Sequence, residues 1–260
     1  MNKQIGLKLW SINDNYILSA QKLYQDGAFD YIELYVVPGT FNKYGQMWKD
    51  LNIPVNIHAP HFMHGMNLAI EEKKEENVSL IKEIQLYSEL LNSEYIVFHP
   101  GINGTINSTI AQLNTIIEQL DSGTSDKILI ENMPHISLYN DVCRGATIDE
   151  IKEVLDNTSV GFCLDIGHAV KTALYFKVNY SEYLSDLGKL NPAVIHLSDG
   201  MLDSIYDQHL PIGEGEFDMA KIMSTINRFN NEYLLLETSK KSNENLDDFR
   251  EDVRKIKVLL

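Results

Sequence analysis

The chain has 260 residues, 44% of them hydrophobic and 23% charged, a composition that excludes a disordered or fibrous protein and suits one α/β barrel of about 250 residues. Its 22 basic and 37 acidic residues give a formal charge of −15, which opposes broad binding to a nucleic-acid backbone, where Lys and Arg contacts to phosphates dominate. No run approaches the roughly 18 apolar residues of a membrane span, and the cysteines Cys143 and Cys163, with no secretory signal in front of them, are expected to be reduced thiols in a cytoplasmic protein.

Short runs rich in β-branched and aromatic residues alternate with segments of helical spacing along the whole chain. From the N-terminus, a strand at 5–9 precedes a helix at 16–25, and a strand at 31–35 precedes a short helix at 44–50. A strand at 55–58 leads to a helix whose face carries Val78, Ile81, Ile84, Tyr87, Leu90 and Leu91, and the charged run 71–76 before it reads as a solvated helix face. A strand at 95–99 is followed by a helix at 108–120. A strand at 128–131 is followed by a helix at 147–155, which opens on a capping box of Thr147 and Glu150. The last three strands, 160–165, 193–196 and 233–237, precede helices at 180–190, 219–229 and 246–260. Eight such repeats predict a single-domain (β/α)8 TIM barrel over residues 1–260 instead of an open doubly wound sheet, and no GxGxxG or Walker loop argues otherwise.

What closes the strands points to chemistry. His58, His99, Glu131, Asp165, His196 and Glu237 end six successive runs, at the face of the barrel where active sites lie. Six such groups would desolvate and repel one another unless cations held them. Just beyond the strands come His168, Asp207 and His209. Imidazole and carboxylate together suit zinc, or manganese where carboxylates prevail. Gly167 is read as a sharp turn between Asp165 and His168, and Gly213 and Gly215 as the means of holding a loop against the site. The alternatives are buried ion pairs for the carboxylates and substrate-binding or ligand-orienting roles for the imidazoles. His61, His64 and His135 are expected to line the pocket or lie at the surface, and Trp10 to wall the pocket or belong to the core, with His61 and Trp10 as the candidate substrate-binding residues.

The motifs 58–60 (HAP), 98–101 (FHPG), 129–132 (LIEN), 164–168 (LDIGH), 196–199 (HLSD), 207–209 (DQH) with 213–215 (GEG), and 236–238 (LET) resemble those of the xylose isomerase-like barrels, which include endonuclease IV and the sugar phosphate isomerases and epimerases. The resemblance runs from about residue 55 onward. Toward endonuclease IV it implies up to three zinc ions: Glu131 bridging two, His58 and His99 completing one, Asp165, His196 and Glu237 the other, and His168, Asp207 and His209 holding the third. Such a cluster implies hydrolysis of a phosphate ester, by in-line attack of an activated water with stabilisation of the leaving oxygen.

Two departures disfavour DNA and favour a small phosphodiester. The segment 38–43 replaces the long loop that endonuclease IV carries between the second and third strands, and the residue three past His58, usually aromatic there, is His61. The 196–218 segment is closer in style to the sugar phosphate isomerases and epimerases. That branch implies one manganese or magnesium ion at Glu131, Asp165, His196 and Glu237, with Glu131 and Glu237 as catalytic acid and base on a carbon beside a carbonyl. A non-catalytic sugar-binding barrel is the third possibility.

Overall fold

The structure, a computed structural model, describes residues 3–260; the first two residues of the expected domain lie outside them. The first half of the chain forms β1 Gln4–Trp10, α1 Ile17–Gln25, β2 Tyr31–Tyr35, α2 Phe41–Asp50, β3 Val55–His58, α3 Lys74–Leu91, β4 Ile96–Phe98, α4 Ile106–Gln119 and the single turn α5 Ser122–Ser125. The second half forms β5 Ile128–Glu131, α6 Ile148–Asn157, β6 Gly161–Asp165, α7 Ile166–Phe176, α8 Tyr180–Gly188, β7 Val194–Leu197, α9 Met219–Ile226, β8 Tyr233–Leu236 and α10 Asp247–Lys257. The strands pair in parallel in chain order and β8 closes on β1, as in Leu7↔Leu236, so the sheet is a closed barrel of eight strands. No helix among the described residues is long and apolar enough to cross a membrane.

Strand side chains alternate between two environments, because successive residues point to opposite faces. Ile5, Leu7, Leu9, Ile32, Leu34, Ile57, Ile96, Ile130, Leu164, Ile195 and Leu234 pack outward against the helices in the main core. The other set, Tyr31, Tyr95, Val97, Leu129, Cys163, Val194 and Leu235, fills the barrel interior. The rings of Tyr31, Tyr95 and Tyr233 meet near-perpendicularly, with centroids 5.2 to 6.2 Å apart, and plug the N-terminal end. Gly6 makes room for that plug, since a Cβ there would lie 2.3 Å from the Tyr31 ring. The apolar plug leaves the interior positions nearer the opposite mouth for polar groups.

Three expectations are corrected. The helix after β2 is longer than the expected 44–50, starting at Phe41. His99 and Glu237 lie one residue past their strands, not within them. A helix not expected from the sequence, α7, starts directly after β6, so Gly167 sits in its first turn and makes no sharp turn. Asp165 accepts a hydrogen bond from His168 N at 2.6 Å and caps that helix. The capping box of Thr147 and Glu150 is present at the start of α6.

Candidate metal centre

The interior positions at the C-terminal strand ends converge on Glu131, which is 1% exposed. Its Oε2 lies 3.2 Å from His58 Nε2 and 3.2 Å from His99 Nε2, and its Oε1 lies 3.2 Å from His168 Nδ1. His196 Nδ1 is 3.6 Å from Glu131 Oε2 and 3.0 Å from Glu237 Oε2. Farther out, Asp207 Oδ2 lies 2.6 Å from His209 Nε2 and 3.7 Å from His168 Nε2. The nine expected residues thus fall into three donor sets, each with its ligand atoms within 4.8 Å of one another: His58, His99 and Glu131; Glu131, Asp165, His196 and Glu237; and His168, Asp207 and His209. Cys163 also approaches Glu131 and His196, but burial pushes its thiol well up, so it remains protonated and a poor donor.

Four rings are turned so that a bare nitrogen faces a carboxylate. A backbone carbonyl can only accept, so Nδ1 of His58, His168 and His209 carries the proton it donates to Ala59 O at 2.8 Å, Asn132 O at 2.9 Å and Glu237 O at 3.0 Å. In the neutral ring each Nε2 is then a lone-pair donor. In His196 the roles reverse: Nε2 donates to Glu33 Oε2 at 3.0 Å and leaves Nδ1 free. Two buried atoms of the same donor set, His196 Nδ1 and Asp165 Oδ2, have no hydrogen-bond partner. Such orphans are costly to bury, and a cation among them would satisfy both, so the residues present fit a divalent metal.

Proton competition shows the same demand. Burial pushes Asp165 up to about 6 against the pull of His168. Burial would also raise Glu131, but the charges of His99 and His196 outweigh it and hold the carboxyl well below the usual range. Burial would lower His209, yet the Asp207 carboxylate raises it to about 9. Protons hold the imidazoles where cations could sit.

Two residues of the site were not expected from the sequence. Lys8, 6% exposed, donates to Glu33 Oε1 at 2.8 Å and lies 3.3 Å from Glu237. Glu33, fully buried, also accepts from Tyr95 Oη at 2.9 Å. Burial would raise its carboxyl, but His196 and Lys8 hold it down at about 2. The available signal was a charge in the middle of each of the first two strands, and the register places them opposite each other, Lys8↔Glu33.

Above the donor sets opens a pocket of about 680 Å³, lined among others by Trp10, Tyr35, His61, Glu237 and Lys240. Trp10 is 40% exposed and its ring stands 5.0 Å from that of Tyr35, so it walls the pocket and is not core. His61 lies flat against His99, at 5.6 Å and 10°. Its Nδ1 accepts from Met63 N at 3.2 Å, so the other nitrogen carries the proton and is a donor, not a metal ligand. Burial and the neighbouring His99 and His58 push its pKa down to about 2, which keeps it neutral. His64 accepts at Nδ1 from Tyr35 Oη, whose oxygen takes the His61 amide. His135 packs on Tyr175 and Phe176 instead, away from the pocket.

The loop after β7 carries Asp207 and His209. Its anchor is the buried Asp199, whose carboxylate accepts from the amides of Gly200, Gly213, Gly215 and Phe217 at 2.8 to 3.2 Å. A Cβ at Gly215 would lie 2.4 Å from Asp199 Oδ1, which is the physical need for glycine there.

Residues 21–259 match the model of the xylose isomerase-like TIM barrel family. A probable endonuclease 4 of Halothermothrix orenii is 30% identical over 217 residues, which span 76% of this chain and 76% of the relative. Among solved structures, a D-tagatose 3-epimerase-like protein superposes with a TM-score of 0.75 at 22% identity, covering 98% of this chain and 96% of its own. Endonuclease IV from Thermus thermophilus superposes with a TM-score of 0.67 at 18% identity, covering 98% of each chain. At those identities the two superpositions show a shared fold. Taken with the family match over nearly the whole length, they lead to one assignment: this chain belongs to the xylose isomerase-like TIM barrel family.

Proposed function

We propose that this chain is an enzyme that hydrolyses phosphate esters, with small phosphodiesters as preferred substrates and abasic DNA disfavoured, using up to three zinc ions held by the nine residues of the three donor sets. The observation that carries the reading is the placement of Glu131. It is enclosed by imidazoles on both oxygens and does not line the pocket. That suits a carboxylate shared by two of the donor sets, which would help hold the metal of either. Zinc held there supplies Lewis acidity, lowering the pKa of water and stabilising charge on phosphate oxygens.

The protein's own part in the reaction is to bind, orient and exclude. Backbone carbonyls fix the tautomers of His58, His168 and His209, so that no ring must reorient before a ligand binds. Glu237, 21% exposed at the pocket wall, can exchange a proton with a bound substrate or water; Glu131 can act only through what it holds. His61 offers a neutral N–H donor, Lys240 a cation, and Trp10 and Tyr35 an apolar wall that displaces water. A pocket of about 680 Å³ suits a small molecule. The free, buried thiols of Cys143 and Cys163 fit a cytoplasmic location.

The second reading, a sugar or sugar phosphate isomerase or epimerase with one manganese or magnesium ion, draws on the −15 charge and on the short connection that α2 forms after β2. It requires both Glu131 and Glu237 to reach a substrate carbon, and Glu131 is 1% exposed. Elemental analysis of protein purified without chelator, followed by substrate assays, separates the two. About three zinc ions per chain, with phosphodiester cleavage abolished by His209→Ala, is the expected result. One manganese or magnesium ion, with ketose epimerisation that survives His209→Ala, would overturn the hydrolase.

A further inference from the structure

Lys171 lies in α7 one turn after His168 and is 1% exposed. A lysine ammonium has three protons, and here each finds an oxygen: Met201 O at 2.6 Å, Ser204 O at 3.0 Å and Gln208 Oε1 at 3.1 Å. The Phe217 ring centre stands 5.4 Å from Nζ, and Gly200 packs so close that a Cβ there would lie 3.2 Å from it. All three acceptors belong to the loop after β7, and Gln208 stands between Asp207 and His209. Gln208 Oε1 also takes the amide of Met201 at 2.9 Å, which closes the loop on itself around the cation.

The acceptors that touch this ammonium are all neutral, while the carboxylates of Asp207, Asp203, Asp199 and Glu216 act on it from farther off and burial still lowers its pKa; a long apolar side chain could fill the same space without that desolvation cost. No ion pair of the described residues includes Lys171. The loop it binds also contains His209 at φ +46, a left-handed conformation that a non-glycine residue keeps only where its surroundings over-determine it. Part of that restraint is visible elsewhere: Ser239 N donates to His209 O at 2.8 Å, and Leu210 exchanges backbone bonds with Asp199. On the other side of His209 the side chain of Gln208, held by Lys171, supplies it.

We propose that Lys171 is the positioning residue of the outer donor set. By saturating its ammonium with loop oxygens on both sides of Asp207, it sets Asp207 and His209 against His168, which the same helix carries. The inference rests on the reading of those three residues as metal ligands. One helix then supplies one ligand directly and locates the other two, so affinity at this set is tied to the clamp while the two sets around Glu131 are independent of it.

The test is a zinc titration of the metal-stripped full chain by calorimetry with chelator competition, with amide hydrogen exchange of residues 201–209 alongside. Lys171→Met should weaken the third ion by about 10- to 100-fold, leave the first two unchanged and speed exchange in the loop. Should Lys171→Met not fold, Gln208→Met removes one acceptor of the three and should produce a smaller loss at the same ion. Three ions bound with native affinities by whichever variant folds, even at a lowered melting temperature, would overturn the positioning role and leave the ligand reading standing. A native chain that takes up no third ion would overturn the ligand reading and the role of Lys171 with it.

Discussion

His196 offers its Nδ1 to the site because Glu33 takes the proton on Nε2, and Glu33 in turn is kept ionised by His196 itself and by Lys8, 2.8 Å away. Glu33→Gln keeps the shape and removes the charge. The His196 ring loses basicity, and Lys8, deprived of its shorter partner, is left to pair with Glu237, itself a candidate ligand. Affinity for the ion at Glu131, Asp165, His196 and Glu237 should fall by about 10- to 100-fold, with the outer set unaffected. Equal losses at all sets, or none, in a chelator-competition titration would show that Glu33 does not act through His196. This pair also marks a boundary of what the sequence discloses. His58, His99, Asp165 and their partners were legible because acid and imidazole types closed runs that read plainly as strands. Lys8 and Glu33 lie within their runs, where a charge reads as an interruption of an apolar segment. Only the register, which places them side by side inside the barrel, turns two interruptions into one buried pair.

At the level of elements, the alternation of eight strands and their crossovers was legible from period and composition, whereas α7 was not. Its signals conflict: Asp165 caps it while still the last residue of β6, and a glycine in the first turn reads as a turn. The glycine is there for space. A Cβ at position 167 would lie 2.8 Å from Ser198 Oγ, 3.2 Å from Asp207 Oδ1 and 3.3 Å from Asp165 Oδ1, so the start of α7 touches two candidate ligands and the first residue past β7. Gly167→Ala gains helix propensity but forces those groups apart, and overpacking of this kind costs about 1–3 kcal/mol. The variant should unfold at lower denaturant and bind metal more weakly at the outer set. Gly123→Ala, where a Cβ would meet nothing within 4 Å, is the control. Equal denaturation midpoints for the two variants would mean that the first turn of α7 can shift freely and does not locate Asp207.

Across the whole molecule, protons and cations compete for one cluster, and this sets how stability should depend on pH. In the metal-free protein Glu33 is held at about 2, and Glu131 and Glu237 well below their ordinary value of 4.5. The stability these carboxylates contribute is fully present above about 4.5 and is lost as pH falls through the folded values. The imidazoles work in the opposite direction. His209 is raised to about 9, and His168 and His196 well above 6.5. Their contribution is fully present below about 6.5 and is lost as pH rises through the folded values, which for His209 means through about 9. Asp165, raised by burial to about 6, adds to that loss by ionising with its Oδ2 unpaired. Metal-free protein should therefore be most stable near pH 5–6. Zinc binds only the deprotonated rings, so its affinity should climb over the range in which the metal-free fold weakens. Because a ligand that binds only the folded state stabilises it in proportion to the logarithm of its affinity, the melting temperatures of zinc-loaded and stripped protein should diverge steadily from pH 6 to pH 9. Melting curves of the two forms across that range test this directly. A constant gap would mean that zinc displaces no protons from these imidazoles, and the cluster would then hold its metal through the carboxylates alone.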